Sequence, residues 1–144
     1  NHVSSYLIVD DPDKALDFYC NAFDAEKGAI MRMPDGTLLH GEIKIGNSTV
    51  MVTAENKQWQ MLSAKSLKGS PISMHIYTED ADAAFKRAVD AGCKVAAPLM
   101  DAFWGDRYGK VIDPFGYEWS IATHQEELTD EQWAERAEEF FGTL

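Results

Sequence analysis

The chain has 144 residues, of which 24 are acidic and 13 are basic, so its formal net charge is −11. This acidic balance argues against binding to nucleic acid or to anionic membranes, and the lack of an apolar run of roughly 18 residues argues against a membrane span. The two cysteines, Cys20 and Cys93, are too few for a disulfide framework and favour a reducing, cytoplasmic location.

The first predicted elements are a short strand and a helix that starts at an acidic residue. Asp11 is suited to cap the helix, and Pro12 suits the first helical position, where its missing N–H costs nothing. Apolar residues then recur at helical spacing from Leu16 to Phe23. Further strands are predicted near 28–33 and 38–45, with a turn at 33–36 between them, and a last strand follows Gly46.

The same order of elements recurs after 69 residues, because Asp80 corresponds to Asp11 (80 − 11). Asp80 is suited to cap a second helix, Phe85 and Ala88 belong to its apolar stripe, and Gly92 suits its end. More strands are predicted near 94–97 and 109–113 and within 114–120. The sequence therefore predicts an α+β fold of two βαβββ modules, at about residues 2–54 and 71–124.

Residues 55–70 join the two modules, and residues 125–144 follow them as a C-terminal helical extension. The joining segment is polar, which is typical of a linker; a lid over a ligand site is the alternative. In the extension, Thr129 and Gln132 are spaced as a capping box. Trp133, Phe140 and Phe141 then share one helix face, which must pack on the chain's own sheet or on a partner subunit.

Several motifs resemble a known superfamily. The opening from Asp11 to Tyr19 and the Asp-Pro-Phe-Gly motif at 113–116 resemble the vicinal oxygen chelate superfamily, which includes glyoxalase I, extradiol dioxygenases and bleomycin-resistance proteins. The motifs at 34–36, 40–42, 46–48, 104–107 and 121–124 resemble its PhnB-like branch. The resemblance implies one domain over residues 1–124, a mixed sheet cupped around a small-molecule ligand with helices outside, and a homodimer.

The resemblance also implies where metal ligands would lie. In the enzymes of the superfamily they come from the first and last strands of each module. The matching positions here are Ser4, Met51, Ser73 and Ser120. Hydroxyl and thioether groups are poor ligands for the divalent ions that prefer imidazole and carboxylate. We therefore expect no metal and no other cofactor; a displaced site built on His75 and Glu118 is the alternative.

Alternation along the strands predicts which side chains face the cup. On the third strand, Leu39 and Ile43 suit the helix side, which leaves His40 and Glu42 for the cup. The predicted cup wall consists of Tyr6, His40, Glu42, His75, Tyr77 and Glu118. His40 and Glu42 lie about 6–7 Å apart along a strand and are predicted as a catalytic acid/base pair; a solvated pair that stabilises the sheet is the alternative.

Trp104 and Arg107 form the remaining part of the predicted ligand site. Gly105 permits a tight turn between them, and the guanidinium of Arg107 suits a carboxylate, a phosphate or an enolate. Pairing of Arg107 with Asp101, Asp106 or Asp113, which would fix the loop, is the alternative.

Two functions remain open from the sequence. The first is a metal-independent isomerase or lyase of glyoxalase-like architecture, with a base from His40, Glu42 or His75 and with Arg107 beside the developing negative charge. The second is a non-catalytic dimer that binds or sequesters a drug-type small molecule, because the acidic charge and the aromatic residues suit a cation.

Overall fold

Two four-stranded sheets, each with a helix on one face, form the fold. The computed structural model describes residues 1–142. The first half contains β1 (Ser5–Val9), α1 (Pro12–Phe23), β2 (Glu26–Arg32), β3 (Leu38–Ile45) and β4 (Ser48–Ala54). A short helix, α2 (Ala64–Leu67), follows. The second half contains β5 (Ser73–Tyr77), α3 (Ala81–Ala91), β6 (Lys94–Asp101), β7 (Asp106–Ile112) and β8 (Glu118–His124), and α4 (Asp130–Gly142) comes last.

Both sheets have the same topology, which confirms the predicted α+β class with two βαβββ modules. Their strand orders are β1–β4–β3–β2 and β5–β8–β7–β6, and the first strand of each half pairs in parallel with the fourth. The register also repeats, since Tyr6 lies opposite Met51 and His75 lies opposite Ser120, an offset of 69 in both members (75 − 6 and 120 − 51). Within residues 1–142 the two sheets share no strand pairing, so β1 and β5 are both edge strands.

The helix ends follow the local sequence. Asp11 caps α1 by accepting a hydrogen bond from the Lys14 amide at 3.1 Å, and Asp80 caps α3 by accepting one from the Ala83 amide at 3.0 Å. Gly92 ends α3 with a φ of 127°, a conformation that residues with a Cβ rarely adopt. These three predictions are confirmed.

An aromatic core joins the two halves. Tyr19 and Phe23 of α1 are buried against Trp119 of β8, with ring centroids 5.4 and 4.3 Å from it. The Tyr19 hydroxyl donates a 2.6 Å hydrogen bond to the buried carboxylate of Asp113, which also accepts one from the Trp119 indole at 2.8 Å. The helices α1 and α3 pack side by side. The apolar stripe of α1 therefore packs on both halves of the chain.

Two strand details differ from the sequence expectation. The strand β7 begins at Asp106 rather than near 109, so the segment from Asp106 onward belongs to the sheet. Leu39 was expected on the helix side of β3, but it is 48% exposed while Leu38 is buried. The cause is a bulge, because Met31 of β2 lies opposite His40 whereas Arg32 lies opposite Leu38, which leaves Leu39 as an extra residue.

The segments outside the two modules are ordered by local contacts. Residues 55–70 contain a 3-10 turn at Lys57–Trp59 and the helix α2, which lies beside β1. The α4 capping box is confirmed, since Thr129 and Gln132 exchange hydrogen bonds at 3.0 and 3.2 Å. The apolar face of α4 packs on Phe103 in the β6–β7 loop, where the sequence predicts packing on the chain's own sheet or on a partner subunit.

Among residues 1–142, none of the helices is long and apolar enough to cross a membrane.

Candidate functional site

A chain of three hydrogen-bonded side chains lies on the open face of the first sheet. The Tyr6 hydroxyl lies 2.9 Å from Nδ1 of His40, and Nε2 of His40 lies 3.0 Å from Oε1 of Glu42. The rings of Tyr6 and His40 meet edge to face with centroids 5.5 Å apart. Pairing in the sheet explains the arrangement, because Tyr6 of β1 and Glu42 of β3 both lie opposite Met51 of β4.

This cluster, which we call the first-sheet cluster (Tyr6, His40 and Glu42), can hold and move a proton. An ionised carboxylate accepts hydrogen bonds only, so Nε2–H of a neutral His40 donates to Glu42 and Nδ1 accepts from the Tyr6 hydroxyl. The side chain of His40 is 21% exposed and that of Glu42 is 32% exposed, which leaves both in reach of a ligand. The predicted pair of His40 and Glu42 is thus brought together with Tyr6.

A second cluster lies on the open face of the other sheet. Nδ1 of His75 lies 2.7 Å from the Ser120 hydroxyl, directly across the β5–β8 pair. The ring of His75 meets that of Tyr77 at 4.5 Å and stacks with that of Tyr108 at 6.2 Å. Trp104 continues the row, with its ring centroid 5.1 Å from that of Tyr108. The second-sheet cluster (His75, Tyr77, Trp104 and Tyr108) is therefore an aromatic wall.

A buried carboxylate, Asp106, holds this wall in place. Asp106 is 2% exposed and accepts 3.0 Å hydrogen bonds from the Tyr77 hydroxyl, the Trp104 indole and Nδ1 of His124. The bond from Tyr77 raises the pKa of that phenol, and the bond between His124 and Asp106 raises the pKa of the imidazole. The sequence indicates Asp106 only as a possible partner of Arg107, and the one available signal is its place between Trp104 and Arg107 in the motif at 104–107.

Glu118 is present at the rim of the same face but is paired. Its Oε1 lies 2.6 Å from Nζ of Lys110 on the neighbouring strand. This contact raises the pKa of Lys110. The ion pair compensates the charge that Glu118 was expected to offer to a ligand.

Arg107 is not brought together with the other predicted site residues. Alternate residues of β7 point to opposite faces, and Gly109, two residues further on, faces Phe85 of α3. Arg107 points to that helix side as well, where its guanidinium lies 3.1 Å from Asp82 and 3.4 Å from Asp101. Hydrogen bonding to Asp82 raises the pKa of Arg107. The contact with Asp101 matches the alternative in which this arginine fixes the loop, whereas Asp82 of α3 is a partner that the sequence does not indicate.

The comparison with known proteins gives the family. Residues 1–121 match the sequence profile of the Glyoxalase/Bleomycin resistance protein/Dioxygenase superfamily. The chain belongs to this superfamily. A protein of Mycobacterium tuberculosis described as uncharacterized protein Rv0887c is 43% identical over 122 residues, which cover 83% of this chain and 72% of that protein.

Solved structures agree with this glyoxalase-superfamily assignment. The structure of the Arabidopsis thaliana gene product At5g48480 is 28% identical, covers 85% of this chain and 98% of that chain, and has a TM-score of 0.69. A Bacillus cereus PhnB protein, described as a putative 3-demethylubiquinone-9 3-methyltransferase, is 16% identical, covers 85% and 99% of the two chains, and has a TM-score of 0.65. At that identity the second likeness concerns the fold alone.

The metal centre of glyoxalase-superfamily enzymes does not fit the residues of this member. The four positions that the resemblance matched carry three hydroxyls and the thioether of Met51. One of them, Ser4, precedes β1 instead of belonging to it, and the Ser120 hydroxyl is bonded to His75. Within residues 1–142, no group of three or more His, Cys, Asp or Glu side chains could hold a metal ion. A displaced site on His75 and Glu118 has little donor capacity left, because both groups have protein partners.

Proposed function

We propose that this glyoxalase-superfamily protein binds a small carbonyl compound at the first-sheet cluster and catalyses metal-independent proton transfer there, as an isomerase or a lyase. The observation that supports this function is the hydrogen-bonded chain from Tyr6 through His40 to Glu42. A base that is oriented by a carboxylate and lies beside a hydroxyl donor is the arrangement that general acid–base catalysis needs.

The proposed step begins with proton abstraction by His40. Nδ1 of His40 leaves the Tyr6 hydroxyl and accepts the proton from a carbon next to a carbonyl group. The electron pair of the broken C–H bond moves to the carbonyl oxygen as an enolate, and the freed Tyr6 hydroxyl donates a hydrogen bond to that oxygen. Glu42 accepts from Nε2–H and stabilises the imidazolium that forms. If the α-carbon bears a hydroxyl, the proton of that hydroxyl moves to the enolate oxygen, and return of the abstracted proton from His40 to the former carbonyl carbon completes an isomerisation. If the β-carbon bears a leaving group, the enolate re-forms the carbonyl, the group departs with its bonding electron pair and takes the proton from His40, which completes a lyase reaction.

The open sheet faces support a homodimer as the working form, and the two free cysteines, Cys20 and Cys93, support a reducing, cytoplasmic location. Small-molecule sites bury most of the ligand surface, yet Tyr6 is 47% and Tyr77 is 64% exposed. Each sheet supplies only one wall of such a binding site. A second copy that places its second-sheet cluster opposite the first-sheet cluster would close the site with His75, Tyr77, Trp104 and Glu118 as the far wall. Arg107 takes no part in this proposal.

The second candidate function, non-catalytic binding of a drug-type cation, draws on the aromatic wall. The exposed ring of Tyr77 and the ring of Tyr108 offer faces of the kind that attract cations. The formal charge of −11 would raise the local concentration of such a ligand.

Solvent exchange of α-protons separates the two functions. Hydroxyacetone is incubated with the full chain in D₂O, and the loss of its C–H signals is followed by NMR. We expect wild-type protein to speed the exchange, and His40→Gln or Glu42→Gln to slow it about 100-fold. Glu131→Gln, an exposed carboxylate of α4, is the matched control and should keep the wild-type rate.

The outcomes of this experiment are distinct. Exchange at the buffer rate, together with saturable binding of benzyltrimethylammonium that Tyr77→Leu abolishes, would replace catalysis by cation binding. Equal exchange in wild-type protein and in His40→Gln would contradict the proposed base. Light scattering at the concentration of the assay should give twice the chain mass, and a monomer that exchanges hydroxyacetone protons fully would contradict the shared site.

A further inference from the structure

The two repeats differ in the side chains that lie at one contact between the halves. In the second half, the Tyr117 hydroxyl reaches the free edge of β1, accepting from the Ile8 amide at 3.1 Å and donating to the Ile8 carbonyl at 2.8 Å. Phe115, two residues earlier, packs its ring 5.8 Å from that of Phe18 on α1. These two aromatic side chains fill the space between the edge of β1 and the helix α1.

The corresponding space in the other half lacks these side chains. At the offset of 69, Tyr117 corresponds to Ser48 (117 − 48) and Phe115 to Gly46 (115 − 46), while Ile8 corresponds to Tyr77 (77 − 8). The register of β4 against β1 and of β8 against β5 obeys the same offset. A serine and a glycine therefore stand where a phenol and a phenyl ring close the equivalent edge.

A groove with a volume of about 1080 Å³ occupies that space. Its apolar floor comes from Phe23, Met74 and Trp119, and Ala83 and Ala84 of α3 form one wall. Ser48 and Tyr77 lie at its rim, as the repeat requires. The groove is lined by helix-facing side chains and by the edge of β5, where it borders His75 and Tyr77 of the second-sheet cluster. None of Tyr6, His40 and Glu42 lines it, so it is separate from the first-sheet cluster.

The edge of β5 presents an unpaired backbone amide to the groove. The Thr78 amide donates to the Ala122 carbonyl of β8, and alternate residues of a strand point their amides to opposite sides. The Tyr77 amide and carbonyl thus point away from β8, as Ile8 does in the other half. Within residues 1–142, no group takes the place that the Tyr117 hydroxyl has at Ile8.

The charged groups at the groove are engaged by neighbouring groups. Arg87 pairs with Asp24 at 3.3 Å and donates to the Asn21 carbonyl at 2.8 Å, and Asp80 is engaged as the cap of α3. Among the groove residues that the structure describes, no unpaired cation is left to attract an anion, and the Asp80 carboxylate lies at the positively polarised N-terminus of α3. A neutral ligand is favoured. The side chains of Phe115 and Tyr117, which fill the equivalent space in the other half, show the shape and the polar group that such a space accommodates.

We propose that this groove is a second binding site, which takes a neutral hydroxyaromatic compound. The ring lies on the apolar floor between α3 and the turn at Gly46, and the hydroxyl accepts from the amide of Tyr77 and donates to its carbonyl. A volume of this size accommodates ligands up to drug size, and p-cresol, the analogue of a tyrosine side chain, is the smallest informative probe.

The test is a titration of the full ¹⁵N-labelled chain with p-cresol, followed by amide NMR shifts. We expect saturable shifts at Tyr77, Thr78 and Thr49, and about tenfold weaker binding of toluene, which lacks the hydroxyl. Ser48→Tyr should abolish the shifts, because the new side chain closes the edge of β5 as Tyr117 closes that of β1. Ser48→Ala is the matched control and should bind like wild type.

Three results would overturn the proposal. These are the absence of shifts at Tyr77 and Thr49, equal binding of p-cresol by wild type and Ser48→Tyr, and equal affinity for toluene and p-cresol. If Ser48→Tyr fails to fold, Ala84→Phe closes the groove from α3 instead; Gly46 is unsuitable because its φ is 57°. His40→Gln should leave p-cresol binding unchanged, which separates this site from the proposed catalytic one.

Discussion

The hydroxyl of Tyr19 donates a 2.6 Å hydrogen bond to the carboxylate of Asp113, a residue 94 positions away in the other half of the chain. Both side chains are nearly inaccessible to solvent. Burial is the main reason why the pKa values of the Tyr19 phenol and the Asp113 carboxyl are both raised. The bond therefore fixes how the two βαβββ modules sit against each other.

Loss of this bond should weaken the whole fold. Tyr19→Phe leaves a buried carboxylate with one donor fewer, and hydrogen bonds to charged groups contribute about 1.5–3 kcal/mol. We expect the free energy of unfolding in urea to fall by that amount. Tyr6→Phe is the control, because water can replace the exposed Tyr6 hydroxyl, and its loss should stay below about 1 kcal/mol. Similar losses in the two variants would contradict the role given to Tyr19.

His124 should make stability depend on pH near neutrality. Its hydrogen bonds to Asp106 and Glu127 raise its pKa above the ordinary 6.5. The stabilisation from protonated His124 is thus fully present below pH 6.5 and is lost as the pH rises through the higher folded value. We expect the melting-temperature advantage of wild type over His124→Gln to shrink across that interval. An NMR titration in which His124 has a pKa at or below 6.5 would contradict this prediction.

Gly109 should tolerate no larger side chain. A Cβ at this position would lie 2.7 Å from Cε2 of Phe85, so Gly109→Ala forces the α3 helix away from the sheet. We expect a loss of about 1–3 kcal/mol in the free energy of unfolding, as for other overpacked cores. Gly28→Ala is the matched control, since its nearest neighbour would lie at an ordinary 3.5 Å. Equal stability of both variants would show that Phe85 can move aside.

Phe103 should hold α4 on the body of the protein. Its ring lies 5.0 Å from that of Phe140 and 5.8 Å from those of Trp133 and Phe141. We expect Phe103→Ala to speed hydrogen exchange of the α4 amides while the amides of β7 and β8 keep their protection. Trp59→Ala, which removes a 75% exposed ring in the linker, should change neither. Unchanged exchange in α4 would place its anchor elsewhere, for instance at the Arg136–Glu126 ion pair.

Local rules predicted most of the fold from the sequence. Capping by Asp11 and Asp80 depends on residues within one helical turn. The constant offset of 69 residues allows the elements of the second half to be predicted from those of the first. Leu39 escaped prediction because a bulge depends on how β2 and β3 pair, which alternation along a single strand does not show.

The candidate site was only partly predictable for the same reason. Tyr6, His40 and Glu42 were placed on one face by alternation alone. Asp106 joins Tyr77, Trp104 and His124, and the separation of Tyr77 and His124 from it, by 29 and 18 residues, hides these contacts in the sequence. The sequence does not show which way Arg107 points, because the motif indicates a turn at this residue. Arg107 belongs to β7, which begins at Asp106, and alternation along the strand directs its side chain to the helix side.

The most direct test of metal-independent proton transfer is the exchange rate of hydroxyacetone protons before and after treatment with EDTA. Because His40 supplies the base, Glu42 its orientation and Tyr6 the donor, we expect the same rate in both samples and a loss of that rate in His40→Gln. A rate that disappears with EDTA and returns on addition of Zn²⁺ or Ni²⁺ would contradict it.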